Sequence, residues 1–250
     1  YRDKLTQKNS TTRATYNIGF TLDILPKQLV LNGNASLLNY DYQREKFNKA
    51  YQTQTTTTPE TTRQAEAWVQ KYQQVQLNAS LTYTGTFAEK HNLEAMIGGE
   101  YYTYNQFDFE AKTQGSPTDD VPTLNVGSNR TFTRTDRILS GFGRINYNYN
   151  MKYLLSFTAR YDGISRLKDN RWGFFPGVSV GWNVMEEDFW KDSKVSGVIS
   201  NLKPRVSYGV NGNVNGIGNY EVYGEYAQVE SKNYGGATGL YNSKLLNTNL

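Results

Sequence analysis

His91 is the only histidine in 250 residues, and cysteine is absent. These two counts remove most side-chain catalysis. A Ser-His-Asp hydrolase or a histidine-based metal site would have to use His91. Thiolate zinc sites, disulfides and cysteine nucleophiles need a residue the chain lacks. His91 stands in Glu89-Lys90-His91-Asn92, which reads as a short solvated turn. The chain is therefore expected not to be an enzyme, and no catalytic, cofactor-binding or metal-ligating residue is assigned. Asp119-Asp120 and Lys168-Asp169-Asn170 offer oxygen ligands without the spacing of a calcium loop. Asn211-Gly212-Asn213-Val214-Asn215-Gly216 opens no helix after a parallel strand, so a phosphate cradle is not read there. Asn9-Ser10-Thr11 and Asn78-Ala79-Ser80 match glycosylation acceptors, a pattern short enough to arise by chance. The net charge is +4, with 27 basic residues scattered among 23 acidic ones. A nucleic-acid surface would cluster the basic residues, so no nucleic-acid partner is expected.

The informative charges are Glu94, Glu100, Arg144, Arg160, Asp162 and Arg205. Each falls on the polar side of a segment that alternates with period two. Val75, Leu77, Ala79, Leu81, Tyr83, Gly85 and Phe87 interleave with Gln76, Asn78, Ser80, Thr82, Thr84 and Thr86. Tyr153, Leu155, Phe157, Ala159 and Tyr161 oppose Ser156, Thr158, Arg160 and Asp162. Similar segments run over 14–24, 29–37, 93–101, 139–147, 178–184 and 205–211, giving eight strands. The six charged residues could line a wet lumen and meet a plug or a substrate. Structurally, they could form charge ladders that hold neighbouring strands together, and a structural or plug-contact role is the one expected.

The elements that must position these residues are hairpins. Short connections are expected at 25–28, 88–92 and 149–152, and long polar ones at 43–73 and 111–131. Short turns at one end and long loops at the other are the outer-membrane barrel pattern. Thr53 to Thr62 is a Thr-rich, low-complexity loop, and Ala65 to Lys71 is expected to form a short helix after it. Residues 186–202 are expected to be part-helical, with one more strand near 221–229. Two aromatic girdles are expected. Tyr40, Tyr42, Phe47, Tyr101, Tyr102, Tyr104, Phe107, Phe109, Trp172, Phe174 and Phe175 would form one at the long-loop side. Tyr147, Tyr149, Tyr153, Trp182, Phe189 and Trp190 would form the other at the short-turn side.

A soluble sandwich also alternates, so alternation alone leaves two readings open. Strands of about ten or more residues suit a tilted bilayer crossing. Glycine and alanine on the apolar side suit lipid better than a packed core. With hydrophobic residues at 37% and 20 tyrosines, the fold class read is all-β, an antiparallel transmembrane β-barrel. No apolar run is long enough for a spanning helix. Tyr1-Arg2-Asp3-Lys4 has no apolar leader, and the expectation is a piece of a longer chain.

Residues 141–213 carry a more specific pattern. It runs Gly143-Arg144-Ile145-Asn146-Tyr147-Asn148-Tyr149, Lys152-Tyr153-Leu154-Leu155, Ala159-Arg160-Tyr161-Asp162-Gly163 and Asn170-Arg171-Trp172-Gly173-Phe174-Phe175-Pro176. It continues with Gly181-Trp182-Asn183, Glu187-Asp188-Phe189, Asn201-Leu202-Lys203, Arg205-Val206-Ser207-Tyr208-Gly209 and Asn211-Gly212-Asn213. This ordered run closely resembles the SusC/RagA family of TonB-dependent outer-membrane transporters of Bacteroidota. Ile164, Leu167 and Pro204 depart from the family pattern without touching a chemical role. Residues 1–140 match in style only.

The resemblance implies a 22-stranded barrel in the bacterial outer membrane, of which residues 1–250 would be part of one domain. The plug, the TonB-contacting segment and the final strands would lie outside this chain. It implies a nutrient importer for oligosaccharides or oligopeptides, partnered by membrane lipid, a SusD-like surface lipoprotein and TonB. Arg160, Tyr161, Asp162, Gly163, Arg171, Trp172, Gly173, Pro176, Gly181, Trp182, Tyr208, Gly209, Gly212 and Asn213 are expected to be structural members of the family motifs. The hairpin between the Arg160 and Arg171 motifs is expected to carry an arginine-carboxylate bridge and an interfacial tryptophan. Two rivals remain: a small closed outer-membrane barrel with a structural or adhesive role, and a soluble sandwich that binds carbohydrate.

Overall fold

In the computed structural model, the described residues are 5–50, 63–122, 127–167, 170–193, 199, 201–214, 216–218, 220, 222, 224–234 and 237–245. Eight strands form one sheet in chain order: β1 Leu5–Leu25, β2 Leu29–Asn48, β3 Gln64–Phe87, β4 His91–Gln114, β5 Ser128–Tyr149, β6 Tyr153–Ile164, β7 Trp172–Trp182 and β8 Arg205–Gly209. β1 and β8 are its two edges. β9 Glu225–Tyr234 and β10 Ala237–Lys244 pair separately as an antiparallel ribbon. The tail thus has two strands where the sequence suggested one. A 3-10 turn at Val184–Glu186 and the one-turn α1, Asp188–Lys191, lie between β7 and β8. This matches the part-helical expectation for the described part of 186–202.

Chain turns explain the neighbour-to-neighbour order. Gln28 N–H donates to the Leu25 carbonyl across Pro26 and Lys27, with φ +65° at Lys27. Proline followed by a positive φ is the type II pattern. Ala88 and Glu89, and then Asn150 and Met151, all have positive φ. Two successive left-handed residues twist a hairpin correctly for a right-twisted sheet. The turns are also laced together: Asn150 N–H donates to the Lys90 carbonyl at 2.6 Å, and Asn183 N–H to the Lys152 carbonyl at 2.7 Å.

The long outer connections are shorter than the sequence suggested. β2 runs to Asn48, β3 starts at Gln64, β4 runs to Gln114 and β5 starts at Ser128. The helix expected over Ala65 to Lys71 is strand instead. Cross-strand partners overrule its helix-forming composition: Trp68 packs edge-on to Tyr42 at 5.2 Å, and Glu66 pairs with Arg44. Thr53 to Thr62 and Lys168-Asp169 fall outside the described residues.

The chain divides into two compact units. The first comprises Tyr1–Asn17, Ser36–Val75 and Thr103–Thr135. Its strands mix polar and aromatic side chains. Lys71 pairs with Asp41 and Gln73 donates to Asn39 on one face, while Tyr40, Tyr72 and Tyr104 stack on the other. The second comprises Ile18–Ala35, Gln76–Tyr102 and Asp136–Leu250. There one face is apolar and uncovered: Ile18 is 74% exposed, Val206 77% and Leu155 46%. Among the described residues only Phe47, Ala65, Val184 and Val222 are buried hydrophobics. A sandwich would bury its apolar face against a second layer. No helix among the described residues is long and apolar enough to cross a membrane, which leaves strands untouched as a means of crossing.

The aromatics expected at the long-loop side fall in both units. Tyr40, Tyr42, Phe47, Tyr104, Phe107 and Phe109 belong to the first unit, and Tyr101, Tyr102, Trp172, Phe174 and Phe175 to the second.

Candidate functional site

The polar face of the second unit is built row by row from the register of β5 to β8. Phe142, Arg160 and Phe175 are direct partners across three strands. Next come Arg144, Thr158, Gly177 and Gly209. Asn146, Ser156, Ser179 and Ser207 form a third row, and Asn148, Leu154, Gly181 and Arg205 a fourth. Period-two strands in register stack such rows on one face.

Arg160 is the hub of the first network. Its Nε donates to Asp162 Oδ1 at 2.7 Å, and its Nη2 to Ser140 Oγ at 2.8 Å and Glu100 Oε2 at 3.1 Å. Gln76 donates to the other Glu100 oxygen at 2.9 Å, and the guanidinium lies 5.9 Å from the Phe142 ring centre. A planar cation with several donors can hold two carboxylates and a ring at once, which lysine could not. Arg144 forms the second network. It donates to Glu94 at 2.8 Å, Asn146 donates to the same oxygen at 3.1 Å, and Ser156 donates to Asn146 at 2.7 Å.

Five of the six expected charged residues are thus brought together in these two networks. Arg205 joins neither. It sits on the edge strand β8 opposite Gly181. A concavity of about 580 Å3 opens over the same face, lined in part by Met96, Phe142, Arg144, Arg160, Asp162 and Phe175. Met96 and Phe142 escaped the sequence reading because an apolar residue at a polar position looks like noise, and Phe175 was expected only as a girdle aromatic and motif member. Register alone could have revealed that Phe142 and Phe175 flank Arg160. Arg166 and Asp136 were also missed. Their bidentate pair, at 2.8 and 2.9 Å, holds the segment after β6 against β5.

The other motif residues pack the hairpins. Arg160 and Asp162 supply the expected bridge within β6. Trp172 stacks on Tyr161 at 5.1 Å and faces Gly163. The Arg171 carbonyl accepts from Ile164 N–H at 2.9 Å. Gly173 and Gly212 both lie against the Phe175 ring. Pro176 pairs with Ala159, Trp182 with Tyr153, Tyr208 with Val178 and Gly209 with Gly177. Asn213 follows in the described loop beyond β8.

At the turn end, Glu187 gathers three donors. Lys152 Nζ reaches it at 2.9 Å, Tyr153 OH at 2.8 Å and Trp182 Nε1 at 3.1 Å. The hydrogen bond from Lys152, then those from Tyr153 and Trp182, hold the Glu187 carboxyl down at about 2. The same Glu187 bond raises the Lys152 ammonium above its ordinary value.

His91 opens β4 rather than lying in the turn, and its Nδ1 shares a 2.8 Å hydrogen bond with Tyr147 OH. Asp119 is taken by Arg63 at 2.5 Å and by Ala50 N–H at 3.0 Å, so it is committed to the fold rather than to a cation. Among the described residues no group of His, Asp or Glu could hold a metal ion.

A family model described as "TonB dependent receptor-like, beta-barrel" matches residues 1–250. The chain belongs to the TonB-dependent receptor-like β-barrel family. The TonB-dependent receptor SusC of Bacteroides thetaiotaomicron is 38% identical over 148 residues, which is 55% of this chain and 14% of that protein. The TonB-dependent receptor P39 of Formosa agariphila is 30% identical over 192 residues, 74% of this chain and 18% of that protein. The chain thus spans less than a fifth of the length of these curated relatives. A solved structure of the RagAB peptide transporter superposes over 100% of this chain and 27% of that one, with a TM-score of 0.87 at 22% identity. That likeness concerns the fold. Membership of the TonB-dependent receptor-like family agrees with the SusC/RagA resemblance and with the transmembrane barrel class. It also makes the chain part of a receptor barrel, not an enzyme.

Proposed function

We propose that residues 1–250 form part of the single transmembrane barrel of a SusC-like importer in the bacterial outer membrane. The protein moves oligosaccharides or oligopeptides into the periplasm. A SusD-like surface lipoprotein delivers the substrate, and TonB supplies the energy through parts of the protein outside this chain. Glu94, Glu100, Arg144, Arg160, Asp162 and Arg205 face the lumen and its plug.

One observation carries this reading. In the second unit the apolar alternates are exposed while the polar alternates are tied into networks. Such a surface is stable when hydrocarbon covers the apolar side and water fills the other. An isolated closed eight-stranded barrel is disfavoured, because β1 and β8 are edges and not partners.

Environment-sensitive probes on the full-length protein in vesicles test the orientation. Leu77 and Leu155 should report hydrocarbon, and Asn78 and Ser156 an aqueous channel. Equal wetting of both sets overturns it. Deleting the TonB contact should abolish uptake, and unchanged uptake would overturn the energised-import reading.

A further inference from the structure

We infer that the polar face of β5 to β8 near the turns holds a binding site for a carboxylate-bearing ligand, built on Lys203 and Arg205. The inference rests on reading this face as the wall of an import lumen.

The site begins with a missing side chain. Gly181 stands between Leu154 and Arg205 in the fourth row. A Cβ there would stand in ordinary contact with Leu154, at 3.5 Å, and with the Pro204 carbonyl oxygen, at 3.8 Å, and glycine leaves that room to the hollow. A hollow of about 320 Å3 lies over it, lined by Asn146, Asn148, Ser156, Ser179, Lys203 and Arg205 together with Leu154 and other neighbours. That volume takes one carboxylate with the sugar ring or amino-acid residue that bears it.

The charge is one-sided. Lys203 and Arg205 are the ionisable cations of the lining, and no acid lines it. Elsewhere in the second unit, Arg144 is matched by Glu94, Arg160 by Glu100 and Asp162, and Lys152 by Glu187. Neither Lys203 nor Arg205 forms a side-chain hydrogen bond or ion pair among the described residues. Two cations without an acid partner among the described residues, beside a hollow, raise the local positive potential and attract an anion. An arginine fork matches a carboxylate with two parallel hydrogen bonds. Asn148 adds a neutral donor. Its Oδ1 already accepts from Asn92 at 2.9 Å and from Met151 N–H at 3.3 Å, which leaves its Nδ2 to donate.

The carboxylate could belong to a uronic acid in an oligosaccharide or to the free C-terminus of a peptide. The recognising chemistry is the same. Calorimetry on the full-length protein in detergent separates them with two pairs of probes: trigalacturonate against its methyl ester, and a neutral tripeptide against its C-terminal amide. In at least one pair the charged member should bind about tenfold more tightly, and the pair concerned identifies the source. The preference should vanish in K203Q/R205Q, shrink less in R205K, and collapse for the unmodified protein in about 1 M salt, where charges are screened within ~3 Å. The salt series needs no variant, so a folding failure of the double variant leaves the test intact. No preference in either pair, no measurable binding of either charged probe, or a preference that survives the salt overturns the site. If uptake depends on TonB but ignores charge, only this site falls. If uptake does not depend on TonB, the importer reading falls instead.

Discussion

Trp172 stands directly across from Gly163 in the β6–β7 register, and its ring fills the space a side chain on Gly163 would need. Three ring carbons lie within 2.7 Å of where a Cβ would be. The ring is also pinned from one side, because it stacks on Tyr161 with an interplanar angle of 9°. Phe142 against Gly98 and Phe20 against Gly33 repeat the arrangement on other strand pairs. An aromatic ring laid over a glycine shields bare backbone and pins register. Gly163→Ala should therefore push the Trp172 ring off Tyr161 and destabilise the barrel by about 1–3 kcal/mol. Thermal unfolding in detergent measures the loss, and a shift in tryptophan emission reports the displaced ring. Unchanged emission would mean the ring does not depend on the glycine.

Arg160 should matter more than either of its acids alone. Replacing it with Met leaves Glu100 and Asp162 facing each other without the shared cation. The group is partly exposed, so water recovers some of the loss. The expected cost is about 1–2 kcal/mol. Glu100→Gln should cost less in the presence of Arg160 than Arg160→Met does. In the double variant the two effects should fall short of their sum, since one network is being broken twice. Strict additivity would show that the network is not coupled.

These networks mark how far the sequence reaches. Period-two alternation placed the strands of the second unit, because one face there is apolar and the other is not. It put Glu94, Glu100, Arg144, Arg160 and Asp162 on polar sides, and hydrogen bonds join Glu94 to Arg144 and both Glu100 and Asp162 to Arg160. It could not pair them, since pairing needs register and register is a tertiary property. Phe142 became visible only as a cross-strand partner of Arg160, and register gave Phe175, expected as a girdle aromatic, the same place on its other side. In the first unit aromatics and charged residues share a face, as Trp68 and Tyr42 do with Arg44 and Glu66, so alternation gives little signal. Strand was therefore read as loop near Asn48 and Gln114, and as helix over Ala65 to Lys71. Glu187 was read as part of a motif, but nothing in its neighbours' spacing announced that Lys152, Tyr153 and Trp182 converge on it.

That convergence predicts an acid-sensitive clamp. The folded Glu187 carboxyl sits at about 2, below its ordinary value of 4.5. A depressed carboxyl contributes its full stabilisation above about pH 4.5 and loses it as pH falls toward 2. The Lys152 ammonium is raised, so its side of the pair holds through neutral pH and weakens only as pH climbs past its ordinary 10.5. Hydrogen exchange in the segment 184–193 should therefore quicken between pH 4.5 and 2, after correction for intrinsic exchange. Glu187→Gln should remove most of that pH dependence while other carboxylates titrate as before. Equal acid sensitivity in both proteins would place the titrating group elsewhere.

The first unit offers a test of stacking that does not involve charge. Tyr72 lies between two other tyrosines, 4.5 Å from Tyr40 and 5.4 Å from Tyr104. Tyr104 has a further contact on its own account, with Arg134 at 5.6 Å and a 2.9 Å hydrogen bond to Gln106. Tyr40 has one ring neighbour in the row, so Tyr40→Leu forfeits one stacking contact. Tyr72→Leu forfeits two while keeping a comparable apolar area. At about 0.5–1.5 kcal/mol for each aromatic pair, Tyr72→Leu should cost about twice what Tyr40→Leu costs. The double variant Tyr40→Leu/Tyr104→Leu should resemble Tyr72→Leu in the stacking it removes, but cost more, because it also strips the arginine and glutamine partners from Tyr104. Protease protection of the strands around Tyr72 in the full-length protein ranks the three. If Tyr40→Leu proves as damaging as Tyr72→Leu, the rings are anchored by their strands individually and not by one another.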